Sequence, residues 1–185
     1  MQRKPVEGNR FGRRRVLVGV KDLAGAADAR EFYAGCYARL VGVLTLAAGS
    51  RADAEEIVQE SFVRLLPRWS KVSGYQDPEA WVRTVAFRLL SNRSRRARNG
   101  LAALARSGSR TPGPEPGPEA VDVRRALHSL PLGQRQVVVL HYFVDLSVDA
   151  VALELGIAAG TVKSRLARAR TALAPLLSED VTDHA

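Results

Sequence analysis

Residues 146–170 read LSVDAVALELGIAAGTVKSRLARAR, and this stretch decides the fold. Two amphipathic segments meet at Gly156, the residue type that takes a left-handed turn without a Cβ penalty. Ala152 is small where the first helix crosses the second, and Ile157, Val162 and Leu166 are spaced to fill the wedge between them. The pattern predicts a helix-turn-helix, whose second helix is shaped to enter a DNA major groove.

On a wheel of about 100° per residue, Val162, Leu166, Ala169 and Leu173 fall in one stripe. Thr161, Ser164, Arg168 and Thr171 lie opposite, with Lys163 and Arg170 on one flank and Arg165 on the other. The central group is placed for base edges and the flanking cations for phosphates. Thr161, Lys163, Ser164, Arg165 and Arg168 are therefore the candidate DNA contacts of this half. Upstream, ALHSLPLGQRQVVVLHYF supplies supporting helices, with Pro131 in a first turn. Ala126, Leu127 and Leu130 form an apolar edge, and Val137, Val138, Leu140 and Phe143 are expected to continue the core. His128 and His141 read as surface or core-edge groups.

Before this module, RSGSRTPGPEPGPE at 106–119 holds four prolines and three glycines. Proline at that density blocks helix and predicts an extended linker. The chain divides accordingly into a basic flexible tail (1–27), a helical module (28–99), a linker (100–119), a second helical module (120–178) and a short tail (179–185). No strand alternation stands, and the expected class is all-α. Each module buries only a modest core, so docking on a larger partner would help both.

The formal charge of +9 points to a polyanion partner. Of 28 cationic side chains 24 are arginine, which suits phosphate and guanine edges but also follows from a GC-rich genome; the ratio decides nothing. A single cysteine, Cys36, excludes internal disulfides and multi-cysteine zinc sites and reads as a packing residue. Three dispersed histidines offer no metal site. No cofactor, catalytic residue or phosphate loop is expected. No apolar run approaches membrane-spanning length and VLVGV is too brief for a signal core, so no membrane insertion and a cytoplasmic location are expected.

In the first module, DAEEIVQESFVRLL (53–66) buries Ala54, Ile57, Val58, Ser61, Phe62 and Leu65 on one face. Asp53, Glu56, Gln59 and Glu60 gather on the other, with Val63 among them. A carboxylate patch with an exposed valine suits a basic protein partner; a solvated face is the alternative. Glu56 and Glu60 stand at metal-pair spacing, but without histidine a metal is not expected. Next comes PEAWVRTVAFRLLSNRSRRAR (78–98), capped by Asp77, with Trp81, Val85, Leu89 and Phe87 inward. Arg88, Asn92, Arg93, Arg95, Arg96 and Arg98 crowd its remaining surface, as a nucleic-acid backbone contact or a helix-stabilising tail. Tyr75 and Trp81 add a weaker option of stacking on an unpaired base.

These elements, in this order, resemble the bacterial RNA polymerase sigma factors of the extracytoplasmic-function (ECF) group, in the sigma-70 superfamily, over residues 28–178. The anchors are DAEEIVQESFVRLL, PEAWVRTVAF with its RRAR end, and LHSLPLGQRQVVVLHYFVDLSVDAVALELGIAAGTVKSRLARAR. The resemblance implies region 2 at 28–99 and region 4 at 120–178. It implies that Asp53, Glu56, Gln59 and Glu60 dock on core RNA polymerase. It further implies that Tyr75, Arg88, Asn92, Arg93, Arg95 and Arg96 serve the minus-10 element, with capture of a flipped base. The helix from Thr161 would read the minus-35 element, and the linker would thread towards the RNA exit path. The chain would direct promoter-specific initiation, in a stress or envelope response, with an anti-sigma factor as a further partner. The polymerase does the chemistry, so the chain is not expected to be an enzyme.

Two departures stand out. Arg88 occupies a position where the family often has asparagine, and it cannot accept a hydrogen bond. Ala150 stands where the family usually has glutamate. The rival readings are a polymerase-independent helix-turn-helix regulator, which leaves the acidic face unused, and a decoy that sequesters a regulator.

Overall fold

The computed structural model describes residues 20–104 and 118–179, and among these every regular element is a helix. The expected linker core and both chain ends lie outside the described residues. Helix α1 (Val20–Ala48) packs along α2 (Arg51–Leu65); a 3-10 turn (Leu66–Arg68) and α3 (Trp69–Val72) lead to α4 (Pro78–Leu104). Beyond the linker come α5 (Pro118–Ser129), α6 (Leu132–Val138), a π turn (Val139–Phe143), α7 (Val148–Leu155) and α8 (Ala159–Glu179).

The breaks arise from named residues. Gly49, at φ 85°, ends α1 and donates to the Thr45 carbonyl at 2.8 Å, and Ser50 then caps α2 through Asp53 N–H. Asp77 caps α4 by accepting from Ala80 N–H at 2.9 Å, as its position predicted. Helix α1 starts at Val20, inside the stretch assigned to the basic tail, and α4 runs to Leu104, past the expected boundary at Asn99. Pro131 is the N-cap of α6, one position ahead of the expected first turn, and Phe143, expected in the core with Val137, Val138 and Leu140, ends the π turn 46% exposed.

Ile57, Val58 and Leu65 of α2 are sealed between α1 and α4. At the outer end of this layer Phe32 and Tyr33 meet Phe62 with ring centroids 6.0 and 4.7 Å apart, and Phe32 meets Trp69 at 5.1 Å. Along α4 the buried stripe is broader than the expected set of Trp81, Val85, Leu89 and Phe87. Val82, Ala86, Phe87, Leu89 and Leu90 are buried, while Trp81 and Val85 are only half covered. The reason is that α4 is covered from two sides, by α2 and by α7.

That second contact is a finding the linker did not suggest. The two helical modules dock on each other: α1 meets α5, α6 and the π turn, and α4 meets α7. Their apolar residues form one continuous core, so each module finds in the other part of the larger surface its size calls for.

Candidate nucleic-acid and protein interfaces

The helix-turn-helix forms as its sequence requires. Ser147 caps α7 by accepting from Ala150 N–H, and Gly156 closes it in the left-handed conformation at φ 65°. Ile157 N–H donates back to the Ala152 carbonyl at 3.0 Å, fixing the angle at which the chain enters α8. Val162, Leu166 and Ala169 face the core, with Ile157 partly covered beside them. Lys163, Ser164 and Arg168 are exposed on the opposite side, with Thr161 half-buried at the helix start. Arg165 differs from its neighbours: it is half-buried and lies against Gly133, where a Cβ would come within 3.1 Å of its guanidinium.

On α4, Arg88, Asn92, Arg95 and Arg96 are exposed. Tyr75 and Arg88 line one cavity of about 560 Å³ together with Trp81, Thr84 and the basic pair Arg64 and Arg68. Tyr75 is 41% exposed there. Arg93 does not join this set. It turns to α2, donating to Glu56 at 2.7 Å and Glu60 at 3.3 Å. The hydrogen bond to Glu56 holds the Arg93 pKa above its ordinary value, with the nearby charges of Glu56 and Glu60 adding to it.

The acidic face of α2 is accordingly less negative than its sequence suggests. Glu60 is shared between Arg64 at 2.6 Å and Arg93, and Glu56 is bound to Arg93, whereas Asp53 and Gln59 are exposed. Beside them Val63 and Leu66 are 65% and 61% exposed, at the rim of an apolar hollow of about 460 Å³ floored by Tyr33, Phe62 and Leu65. Adjoining apolar side chains exposed in this way can serve as a contact surface.

The groups that sequence reading missed join the two modules. Arg83 donates through Nε to both carboxylate oxygens of Glu154, at 2.8 and 3.1 Å, with Asp77 4.0 Å away. Burial pushes the Glu154 carboxyl above its ordinary pKa, against the lowering by Arg83. Gln136, also buried, donates to Ser91 Oγ at 2.9 Å and to the Phe87 carbonyl at 3.4 Å. His128, read as a surface or core-edge group, sits over Gly49, hydrogen-bonded to its backbone; a Cβ at Gly49 would fall inside the ring, 1.4 Å from Nε2. Burial, with Arg135 nearby, depresses the His128 pKa.

Cys36 is buried, donates to the Phe32 carbonyl, and has its thiol pushed up to about 11, chiefly by burial. It is unreactive packing, as read from the sequence. No helix among the described residues is long and apolar enough to cross a membrane.

The comparisons with known proteins match this layout. Residues 32–100 match the family model of sigma-70 region 2, and residues 120–173 that of sigma-70 region 4. The ECF RNA polymerase sigma factor SigL of Mycobacterium tuberculosis is 35% identical over 138 residues, covering 71% of this chain and 78% of that protein. The ECF RNA polymerase sigma factor SigE of Mycolicibacterium smegmatis is 33% identical over 149 residues, covering 75% of this chain but only 57% of that longer protein. In fold, the chain is similar to the sigma factor RpoE of Bartonella quintana, solved with the anti-sigma factor NepR. The TM-score is 0.66 at 22% identity, covering 85% of this chain and 99% of that one.

Proposed function

The chain belongs to the ECF group of sigma-70-type RNA polymerase sigma factors, and from that premise we propose how its surfaces divide the work of promoter recognition. The single observation that carries the reading is the pairing, in one chain, of an exposed helix-turn-helix face with a separate apolar and acidic docking face on α2.

Asp53, Glu56, Gln59 and Glu60, with Val63 and Leu66 beside them, dock on core RNA polymerase. The free carboxylate of Asp53 and the exposed apolar pair supply the contact, and Arg93 holds Glu56 and Glu60 in place against α4. Tyr75 and Arg88, which share a cavity, take an unpaired base of the minus-10 element and its phosphate, with Asn92, Arg95 and Arg96 along the strand. Thr161, Lys163, Ser164 and Arg168 meet the minus-35 element in the major groove, and Arg165 joins them when it leaves the module interface.

Region 2 spans 28–99 and region 4 spans 120–178 in this reading, flanked by a basic tail at 1–27, a linker at 100–119 and a short tail at 179–185. The chain acts in the cytoplasm, in a stress or envelope response, without catalysing a reaction itself. The fold neighbour's complex with an anti-sigma factor suggests a similar protein partner here.

Run-off transcription on fragmented genomic DNA from the source organism, with core polymerase and with or without this chain, tests the reading. Discrete new transcripts that share upstream elements are expected. Operator binding by the chain alone, without any association with core enzyme, would replace it with a stand-alone regulator.

A further inference from the structure

Where α4 passes the corner formed by α6 and the helix-turn-helix, a cleft of about 840 Å³ opens between the modules. Arg88, Arg95 and Arg98 enter it from α4, Arg135 from α6 and Arg165 from α8, and no carboxylate lines it. Arg39, Arg51, Arg64, Arg83 and Arg93 pair with glutamates, while other arginines without such a partner, among them Arg68, Arg96 and Arg168, lie apart from the cleft. None of the five cleft arginines has an ion-pair partner among the described residues.

Arg135 carries the clearest sign of a missing anion. One terminal nitrogen reaches the Leu130 carbonyl at 3.3 Å, while its Nε is sealed from solvent with no acceptor. A buried donor without a partner carries a desolvation cost, so the Arg135 guanidinium is held at the cleft wall less than fully satisfied by the protein. Gly133 contributes by lacking a side chain, which lets the Arg165 guanidinium lie close to the backbone. The cleft wall is not wholly polar: Leu132, Leu155 and Ile157 form an apolar side, each partly buried.

We propose that this inter-module cleft binds a small polyphosphate anion, either a bare polyphosphate chain or the phosphates of a nucleotide. Its five arginines converge on one recess from both modules. The volume falls within the about 300–1,000 Å³ typical of small-molecule sites. A DNA duplex, whose major groove alone is about 12 Å wide, does not fit inside it. Guanidinium forks bind phosphate oxygens in pairs, and several act together only on a multiply charged ligand. In the nucleotide form, the base lies on Leu132, Leu155 and Ile157. An anion held from both sides ties the modules together. Arg88, Arg95 and Arg165 also serve DNA in the promoter reading, so the site is tested on Arg98 and Arg135, which that reading does not use.

The test is calorimetric titration of the full chain with inorganic tripolyphosphate, ATP and GTP at matched ionic strength, with sulfate as the singly substituted control. Saturable binding at one site is expected for tripolyphosphate and not for sulfate. Arg98→Gln and Arg135→Gln should each weaken it by about tenfold, the loss of one charge-assisted contact. Arg51→Gln, which removes a charge outside the cleft, should leave it unchanged. Tighter binding of ATP or GTP than of tripolyphosphate would identify the nucleotide form, and equal binding the bare chain; either supports the site. If Arg135→Gln fails to fold, Arg98→Gln carries the comparison. Non-saturating binding, or equal weakening by Arg51→Gln, would overturn the proposal. So would a single-stranded oligonucleotide held by Arg98 and Arg135 that tripolyphosphate does not displace.

Discussion

Arg83 of α4 and Glu154 of α7 meet at 2.8 Å across the boundary between the modules, and each side chain is less than a tenth exposed. Two charges this deep are held by each other, so removing one strands its partner. Glu154→Ala should destabilise the docked fold by about 3–5 kcal/mol, while Arg83→Met with Glu154→Leu should be close to neutral. Thermal melts of the two single variants and the double variant check this. A loss in the double variant equal to the sum of the single losses would show that the two charges are not coupled.

Gly49 and Gly156 both take positive φ, but their surroundings differ. A Cβ at Gly156 meets open space, whereas at Gly49 it strikes the His128 ring. Gly156→Ala should cost about 1–2 kcal/mol, the left-handed backbone penalty alone. Gly49→Ala should cost more, and His128→Ala in the same chain should return part of the difference. Chemical denaturation of the three variants measures the coupling, and purely additive losses would exclude the ring contact.

His128 gives the docking a pH dependence. Its pKa is depressed in the folded chain from 6.5, first by burial and then by Arg135, against a backbone hydrogen bond to Gly49. The unfolded state therefore binds the proton more readily. The stabilisation from the neutral ring is complete above pH 6.5 and is lost as pH falls from there towards the folded value. Melting temperature should drop over that interval, and His128→Asn should flatten this part of the profile.

Val63 is 65% exposed, so replacing it carries little folding cost. Val63→Glu should leave the melting temperature within about 1 °C and weaken binding to core polymerase by about tenfold, the effect of one damaged contact at a protein interface. Glu56→Lys with Glu60→Lys should weaken it too, and should also lower stability, since both carboxylates hold Arg93. Fluorescence anisotropy with labelled core enzyme separates the two effects. Unchanged affinity in both would remove α2 from the docking face.

Arg168 is exposed on the outer side of α8. Arg168→Ala should cost about 1–3 kcal/mol at promoters that present a guanine to it, and little at others. A binding series over single-base promoter variants tests this. Uniform weakening across the series would make Arg168 a phosphate contact.

What the sequence made legible was local. Gly156, the stripe of Val162, Leu166 and Ala169, and the Asp77 cap each declare themselves within one or two helical turns. Arg83 and Glu154 could not be paired in advance: 71 positions separate them, and either alone looks like a solvated charge on an amphipathic helix. A still longer separation hid the role of His128, whose contact is a glycine in another helical layer. Arg93 was grouped with the cations around it because adjacency in sequence is not adjacency on a helix; its direction across to α2 brings it to Glu56 and Glu60. The inward set of Trp81, Val85, Leu89 and Phe87 gave α4 one covered side, and the second comes from α7 in the other module.

Arg165 lies half-buried at the module boundary while Lys163, Ser164 and Arg168 stand in solvent on the same helix. With Arg165 assigned to DNA, one side chain has two mutually exclusive occupations. The apparent affinity of the chain for a promoter is then its intrinsic affinity multiplied by the fraction of molecules in which Arg165 has been released. Any partner that holds the modules apart raises that fraction without touching DNA. The promoter then distinguishes a chain seated on such a partner from one diffusing alone.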